Sequence, residues 1–313
     1  MSPAIMRRGV GLIGRRCLNA ELPWPVQRTR LDQFFRFPLM PRGTTVTEQV
    51  IGGVPATVVS AGTVVPDGTV VPDGTVVPAR TVVHFHGGGY CVGSAREALS
   101  WAAHLSAAAG CQVVLPEYRL APEHPHPAAL EDARAVVAGL AAGAGLAGEA
   151  GAGSVVLSGD SAGGGLALAL ALSMRDEGRA RPAGCILLSP WLDLGRDRRA
   201  DPALVRRDVL LDPDWLDACA RAYAAPPAWS DAAVSPLRAG HAGLPPLLIQ
   251  AATAELLAPD AELLAASAAA AGVDVTYTRW PGLWHDFALQ PGLLAAADSA
   301  VSQAAWFTRS VVP

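Results

Sequence analysis

Residues 154–174 read SVVLSGDSAGGGLALALALSM: a β-branched run, a glycine-rich hinge and an Ala/Leu-rich helical run, with Ser161 midway between Gly159 and Gly163. A serine at such a junction sits on a sharp strand-to-helix turn that lifts its hydroxyl clear of the sheet. Only residues without a Cβ let the strand and helix backbones pass that closely. The helix start adds outward-facing amides, such as that of Ala162, beside any negative charge that develops nearby. This is the setting of a serine nucleophile.

A serine nucleophile needs a base, and the base needs an orienting acid. If the arrangement is that of an α/β hydrolase, both follow the serine, acid first. Of the seven histidines only His241 and His285 lie downstream. His241 precedes Pro245 in an irregular stretch, whereas His285, in WPGLWHDF, falls between the last strand-like run and the last helix-like run and is the expected base. For the acid, Glu255 directly follows the run Leu247–Ala251 and is favoured, with Asp260 as the alternative. Asp260 follows Pro259 at a helix start, where the helix dipole accounts for an acidic residue without catalysis. Asp286, next to the base, is expected to project elsewhere.

A second glycine run, Gly87–Gly89 in TVVHFHGGGYCVGS, also follows a strand-like segment. Exposed backbone amides there can complete an oxyanion hole with Ala162, each donor contributing about 3 kcal/mol to a tetrahedral transition state. His84 and His86 lie two apart, so they share one face of a strand and could ligate a metal. No third ligand stands at a supporting spacing, so no metal is expected, and His86 is read as a loop anchor.

These residues need a scaffold that brings strand ends together. From Thr81 onward, strands Val82–Phe85, Val113–Pro116, Val155–Ser158 and Ile186–Ser189 alternate with helices at 95–109, 128–142 and 163–175. After an interruption, strand Leu247–Ala251, a helix over 260–271, strand Val273–Trp280 and a closing helix from 292 resume the pattern. The alternation predicts an α/β fold with a mostly parallel central sheet flanked by helices, ending at an exposed edge at Val273–Trp280. Residues 1–42, rich in Arg and aromatic residues and cut by Pro23, Pro25, Pro38 and Pro41, are expected to form the amino-terminal part of a helical cap. Residues 43–190 and 244–313 then form the two parts of the core, and the insertion 191–243 supplies the rest of the cap. Between Gly62 and Ala79 the hexad GTVVPD, GTVVPD, GTVVPA is too short to stack as a solenoid. Its PDG turns predict a surface hairpin or loop.

Composition narrows the chemistry. The 313 residues are 51% hydrophobic and 17% charged, enough apolar material for a large core. A net charge of −4 offers no basic field for nucleic acid, leaving small molecules as expected partners. All 24 basic residues are arginine, so lysine-based Schiff bases, pyridoxal chemistry, the phosphate-loop lysine and a Ser-Lys dyad are excluded. Five scattered cysteines without CxxC pairing argue against disulfides and structural zinc. No apolar run reaches membrane-spanning length, and Arg15 and Arg16 interrupt the apolar amino-terminal patch. A cytoplasmic protein without membrane contact is the expectation.

The stretches HFHGGGY, EYRLAPEHPHPAALEDA, GDSAGG and SPWLDL, in this order, resemble the bacterial hormone-sensitive-lipase-like esterases over roughly residues 80–310. The resemblance implies an α/β-hydrolase core with a helical cap, a nucleophile at Ser161 and an oxyanion hole at Gly87, Gly88 and Ala162. The family's acid often stands in a DxLxD-type segment; here that segment is AELLAPD, with glutamate in place of aspartate. The resemblance also implies a homodimer paired along the edge strand.

The expected activity is hydrolysis of short- to medium-chain acyl esters through Ser161, His285 and Glu255, without a cofactor. Trp24, Phe34, Phe35, Trp191, Trp215 and Trp229 are candidates to line the substrate pocket. The same site could serve a lactone or an N-acetyl amide, and a non-catalytic small-molecule receptor is the alternative from another class.

Overall fold

In the computed structural model, which describes residues 2–61, 69–70, 76–77, 80–143 and 155–312, the β-branched runs form the sheet. Strands β1 (Thr44–Ile51) and β2 (Val54–Ala61) form an antiparallel hairpin. Of the hexad repeat, only β3 (Thr69–Val70) and β4 (Val76–Val77) are described, paired antiparallel to each other, and the rest of the repeat lies outside the described residues. Strands β5 (Thr81–Phe85), β6 (Gln112–Pro116), β7 (Val155–Asp160), β8 (Gly184–Leu188), β9 (Leu247–Ala252) and β10 (Val275–Trp280) complete an eight-stranded sheet. Its order is β1-β2-β6-β5-β7-β8-β9-β10, parallel from β6 to β10, with β10 at one edge. The fold is that of an α/β hydrolase, as the alternating pattern predicts. Strand β10 begins two residues later than expected.

Every residue of β7, β8 and β9 is buried, because helices cover both faces. Successive residues feed opposite cores, as the strand period of two requires. Val82, Val156, Ile186 and Leu248 enter one cluster with Trp101 and Phe307, and Val83, Leu157, Leu187 and Ile249 enter the other with Leu166 and Leu264. Helix α3 (Ala95–Ala109) contributes to the first cluster, whereas α4 (Ala128–Gly143) and α5 (Ser161–Asp176) contribute to the second.

Sheet order explains why the two glycine-rich loops meet. After β5 the chain crosses through α3 to β6 on one side, then through α4 to β7 on the other side of β5. Ligands of open α/β sheets bind beyond the carboxyl ends of the strands where the order reverses in this way. The loops after β5 and β7 start beside each other, with Phe85 paired to Gly159.

The two segments assigned to a cap also meet. Helices α1 (Pro3–Cys17) and α2 (Trp24–Phe34) precede the sheet, and α6 (Pro202–Arg207) and α7 (Pro213–Tyr223) lie in the insertion after β8. Added Cβ atoms would stand 3.2 Å from the Val209 Cβ at Gly11 and 2.3 Å from the Leu210 Cδ1 at Gly14, so α1 approaches the insertion through its glycines. The buried Trp215 indole donates to Gln27 Oε1 at 2.8 Å, and Gln27 Nε2 donates to Leu22 O at 2.8 Å. Helix α8 (Ala258–Ala270) follows β9, and α9 (Ala295–Val311) closes the chain against α3. None of the described helices is long and apolar enough to cross a membrane.

Candidate active site

Ser161 opens α5 directly after β7, with a φ of +51°. Few non-glycine residues adopt positive φ, and such strain persists only where its surroundings enforce it. Here the enforcement is steric. A Cβ at Gly159 would lie 2.2 Å from the Gly163 carbonyl carbon, and one at Gly163 would lie 1.9 Å from Phe85 O. Helix α5 therefore passes both its own strand and β5 at backbone contact, which forces the turn at Ser161. The Trp191 amide donates to Ser161 O at 2.8 Å and closes the turn from the SPWLDL side.

The Gly87–Gly89 loop runs alongside. A Cβ at Gly87 would lie 3.2 Å from the Ser161 Cβ, and Gly88, at φ +96°, turns so tightly that a Cβ would lie 2.2 Å from Val92 O. Ala162 is the second residue of α5, a position where amides have no intrahelical acceptor. Gly87, Gly88 and Ala162 thus lie around Ser161. His86 braces the loop: Nδ1 lies 2.8 Å from Gly87 O, and the ring stacks on Tyr118, whose hydroxyl donates to His86 O at 2.8 Å. Gly87 O can only accept, so Nδ1 carries the hydrogen, and burial pushes the His86 pKa down. His84 is held between Ser158 Oγ and Asp160 Oδ1, each at 3.0 Å. Both histidines are thus built into the β5–β7 junction, and among the described residues no group of three or more His, Cys, Asp or Glu is arranged to hold a metal ion.

His285 is buried, with Nδ1 3.1 Å from Glu255 Oε2. Glu255 is fully buried in the turn between β9 and α8. The alternative acid is engaged elsewhere. Asp260 accepts from Arg198 at 2.8 and 2.9 Å and from the Leu192 and Asp193 amides at 2.9 and 3.1 Å, fastening the SPWLDL segment to α8.

One expectation is overturned. Asp286 does not project away from the base: its Oδ2 lies 3.0 Å from His285 Nε2. At φ +56° its backbone is left-handed, and the carboxylate folds back onto the preceding imidazole. Nε2, the nitrogen that would take a serine proton, is therefore turned to Asp286 rather than to Ser161. Burial alone would depress the His285 pKa, but Asp286 first and Glu255 second outweigh it and hold the imidazole well above its ordinary value.

Ser161 and His285 line one small cavity of about 80 Å³. Its apolar wall combines Val10, Ile13, Leu31, Phe34 and Phe35 with Leu210, Leu211 and Trp215. Of the aromatic candidates, Phe34, Phe35 and Trp215 line this space, and Trp24, Trp191 and Trp229 do not. The Trp191 ring is enclosed in the core at 1% exposure, Trp24 packs against that same core cluster, and the Trp229 indole donates to Ala224 O at 2.9 Å.

Sequence reasoning passed over two carboxylates. Asp208 is buried, with Oδ1 accepting from the Leu210 and Leu211 amides at 2.9 Å each and Oδ2 from the Leu256 amide at 2.7 Å. It ties the insertion to the residue after Glu255, and DVLLDP advertises only a local turn. Glu97, on the first turn of α3, lines the cavity with Ser161.

The fold agrees with known proteins. Residues 82–289 match the family described as alpha/beta hydrolase fold. The esterase LipU of Mycobacterium tuberculosis is 32% identical over 96% of this chain and 98% of its own. An acetyl-hydrolase of Streptomyces hygroscopicus is 37% identical over 73% of this chain and 75% of its own. The crystal structure of a hormone-sensitive lipase from a metagenome library superposes with a TM-score of 0.87 at 30% identity, covering 100% of this chain and 99% of the other. The chain belongs to the α/β-hydrolase family, among proteins similar to the bacterial hormone-sensitive-lipase esterases. It is a hydrolase of the carboxylesterase type.

Proposed function

We propose that the protein hydrolyses carboxylic esters with short to medium acyl chains through an acyl-enzyme formed on Ser161. The observation that carries this reading is the strained Ser161 turn sharing one cavity with His285, whose far nitrogen is bonded to buried Glu255. His285 Nε2 takes the Ser161 proton as Oγ attacks the ester carbonyl, and Glu255 fixes the tautomer that leaves Nε2 free to accept. This requires the imidazole to leave Asp286. The amides of Gly87, Gly88 and Ala162 receive the oxyanion, and the imidazolium returns its proton to the departing alcohol. Water, deprotonated by the same base, then releases the acid.

Residues 1–42 and 191–243 act as a cap whose Phe34, Phe35 and Trp215 receive the apolar part of the substrate. The cavity is small and its wall apolar, which favours modest acyl chains.

Replacing Ser161 by alanine tests the proposal. Turnover of p-nitrophenyl acetate falls by about 10³-fold or more, and covalent labelling by a fluorophosphonate disappears. Retention of most activity would reject the serine. Across p-nitrophenyl esters the rate peaks below about ten acyl carbons, since longer chains outgrow a pocket of this size.

A further inference from the structure

The exposed apolar side chains are unevenly distributed along the chain. Seven of the twelve large ones among the described residues fall before residue 41, including Ile5, Leu12, Phe34, Leu39, Met40 and Phe37, the last 84% exposed. Charge follows the same division. Residues 1–42 hold eight arginines against Glu21 and Asp32, a net charge of +6, in a chain whose total is −4. Among the described side chains of this segment only Arg28 pairs with a carboxylate, that of Glu123 at 2.7 Å. Arg8, Arg16, Arg30 and Arg42 are exposed, and the Arg36 guanidinium lies 5.4 Å over the Phe37 ring.

Both properties share one side of α1. Spacings of three and four set Ile5, Arg8, Leu12 and Arg16 along that side, all exposed, whereas Val10, Ile13 and Gly14 on another side line the cavity. The stretch after α2 is fastened to the core, because the Ser100 hydroxyl donates to Leu39 O. The apolar surface also reaches the cavity mouth: Phe34 is 45% exposed and lines the space beside Ser161.

We propose that this amino-terminal segment docks the folded protein on the surface of an anionic lipid bilayer, with α1 lying in the headgroup layer and Phe37 at the acyl boundary. Such a surface answers both properties. Exposed apolar side chains leave water, and each arginine near the anionic headgroups strengthens binding by about fivefold. Nucleic acid would match the charge but leave the apolar side chains in water, and a second copy paired face to face would oppose like charges. The absence of a spanning segment led to an expectation of no membrane contact, but it does not bear on contact from one side. On the esterase reading, docking here turns the cavity mouth toward substrates that partition into the bilayer; the docking itself does not depend on that reading.

The test uses the intact chain and sedimentation with two kinds of vesicle, pure phosphatidylcholine and phosphatidylcholine with about 30% phosphatidylglycerol. Binding to the anionic vesicles should be tighter by about tenfold or more, and should weaken by about tenfold between 0.1 and 0.5 M salt. Arg8→Gln combined with Arg16→Gln should weaken it by about fivefold or more, and Phe37→Ser by about threefold or more. Circular dichroism and melting temperature establish that each variant is folded, and the arginine pair decides should Phe37→Ser not fold. Equal binding to the two vesicles, insensitivity to salt, or folded variants that bind as the parent does would overturn the proposal. So would an absence of vesicle binding together with a dimer mass by light scattering that Phe37→Ser abolishes, which would assign the face to self-association. Replacing Ser161 by alanine should leave vesicle binding unchanged, so failure of the esterase reading and failure of the docking are separate results.

Discussion

At the scale of single residues, the arrangement around His285 determines how the site should respond to pH. Its imidazole lies between two carboxylates, Asp286 on Nε2 and Glu255 on Nδ1, and both favour the imidazolium. The base form required for attack therefore appears only at a pH above the ordinary histidine range, and kcat/KM should climb through that raised pKa. Removing Asp286 deletes the largest influence favouring the charged ring. Asp286→Gly suits the left-handed backbone at that position, and its acid limb should move to lower pH by about one unit or more. A pH–rate profile of both forms checks this, and a limb unmoved or displaced upward would deny the coupling. Glu255→Gln removes a carboxylate too, but it also stabilises the wrong tautomer, so its rate should fall at every pH.

Asp286 also marks where the sequence became illegible. Ser161 was readable because Gly159 and Gly163 bracket it in a strand-to-helix context that few other structures require. Glu255 was readable as the first acidic residue after β9. Nothing in HDF announces that the aspartate backbone turns left-handed and swings its carboxylate onto its neighbour. That conformation comes from the turn Phe287–Leu289 docking into the core, with all three residues buried.

At the scale of elements, the strands and helices after Thr81 were plain in the sequence. The pleat alternates between two apolar cores, and strand ends shifted by no more than about two residues. What fastens elements to one another was hidden, because those links join residues far apart in the chain. Asp208 holds the Leu256 amide across 48 positions, and Gln27 holds the Trp215 indole across 188. Each link supports a prediction. Asp208→Asn places an amide NH₂ among three backbone donors, and should lower kcat by about tenfold through misplacement of Glu255, with KM little changed. Steady-state kinetics will show this, and a change confined to KM would refute it. Gln27→Ala leaves a buried indole N–H without an acceptor at a cost of about 1–3 kcal/mol. The melting temperature should drop by several degrees, which thermal denaturation will measure. The aromatic candidates were indistinguishable beforehand for a related reason: periodicity reveals that a tryptophan is buried, but not whether it faces the core, as Trp191 does, or the cavity, as Trp215 does.

At the scale of the whole molecule, the sheet divides two apolar clusters that between them enclose all five cysteines, and none is paired. Burial pushes the thiols of Cys111 and Cys185 up to about 12. A thiol reagent such as dithiobis-nitrobenzoate should find almost nothing to modify in the folded chain and five groups in denaturant. Rapid modification of a native cysteine would show that the packing opens more readily than the burial indicates. The wall of the cavity is organised differently from its floor. Its apolar residues come from helices near the amino terminus and from the stretch beside Leu210, and neither contributes a strand to the sheet. If the proposed ester hydrolysis holds, selectivity and reactivity are written in separate stretches of the gene. Codons for the enclosing helices can drift, or be shuffled in a library, changing which molecules are admitted while the serine turn keeps its shape.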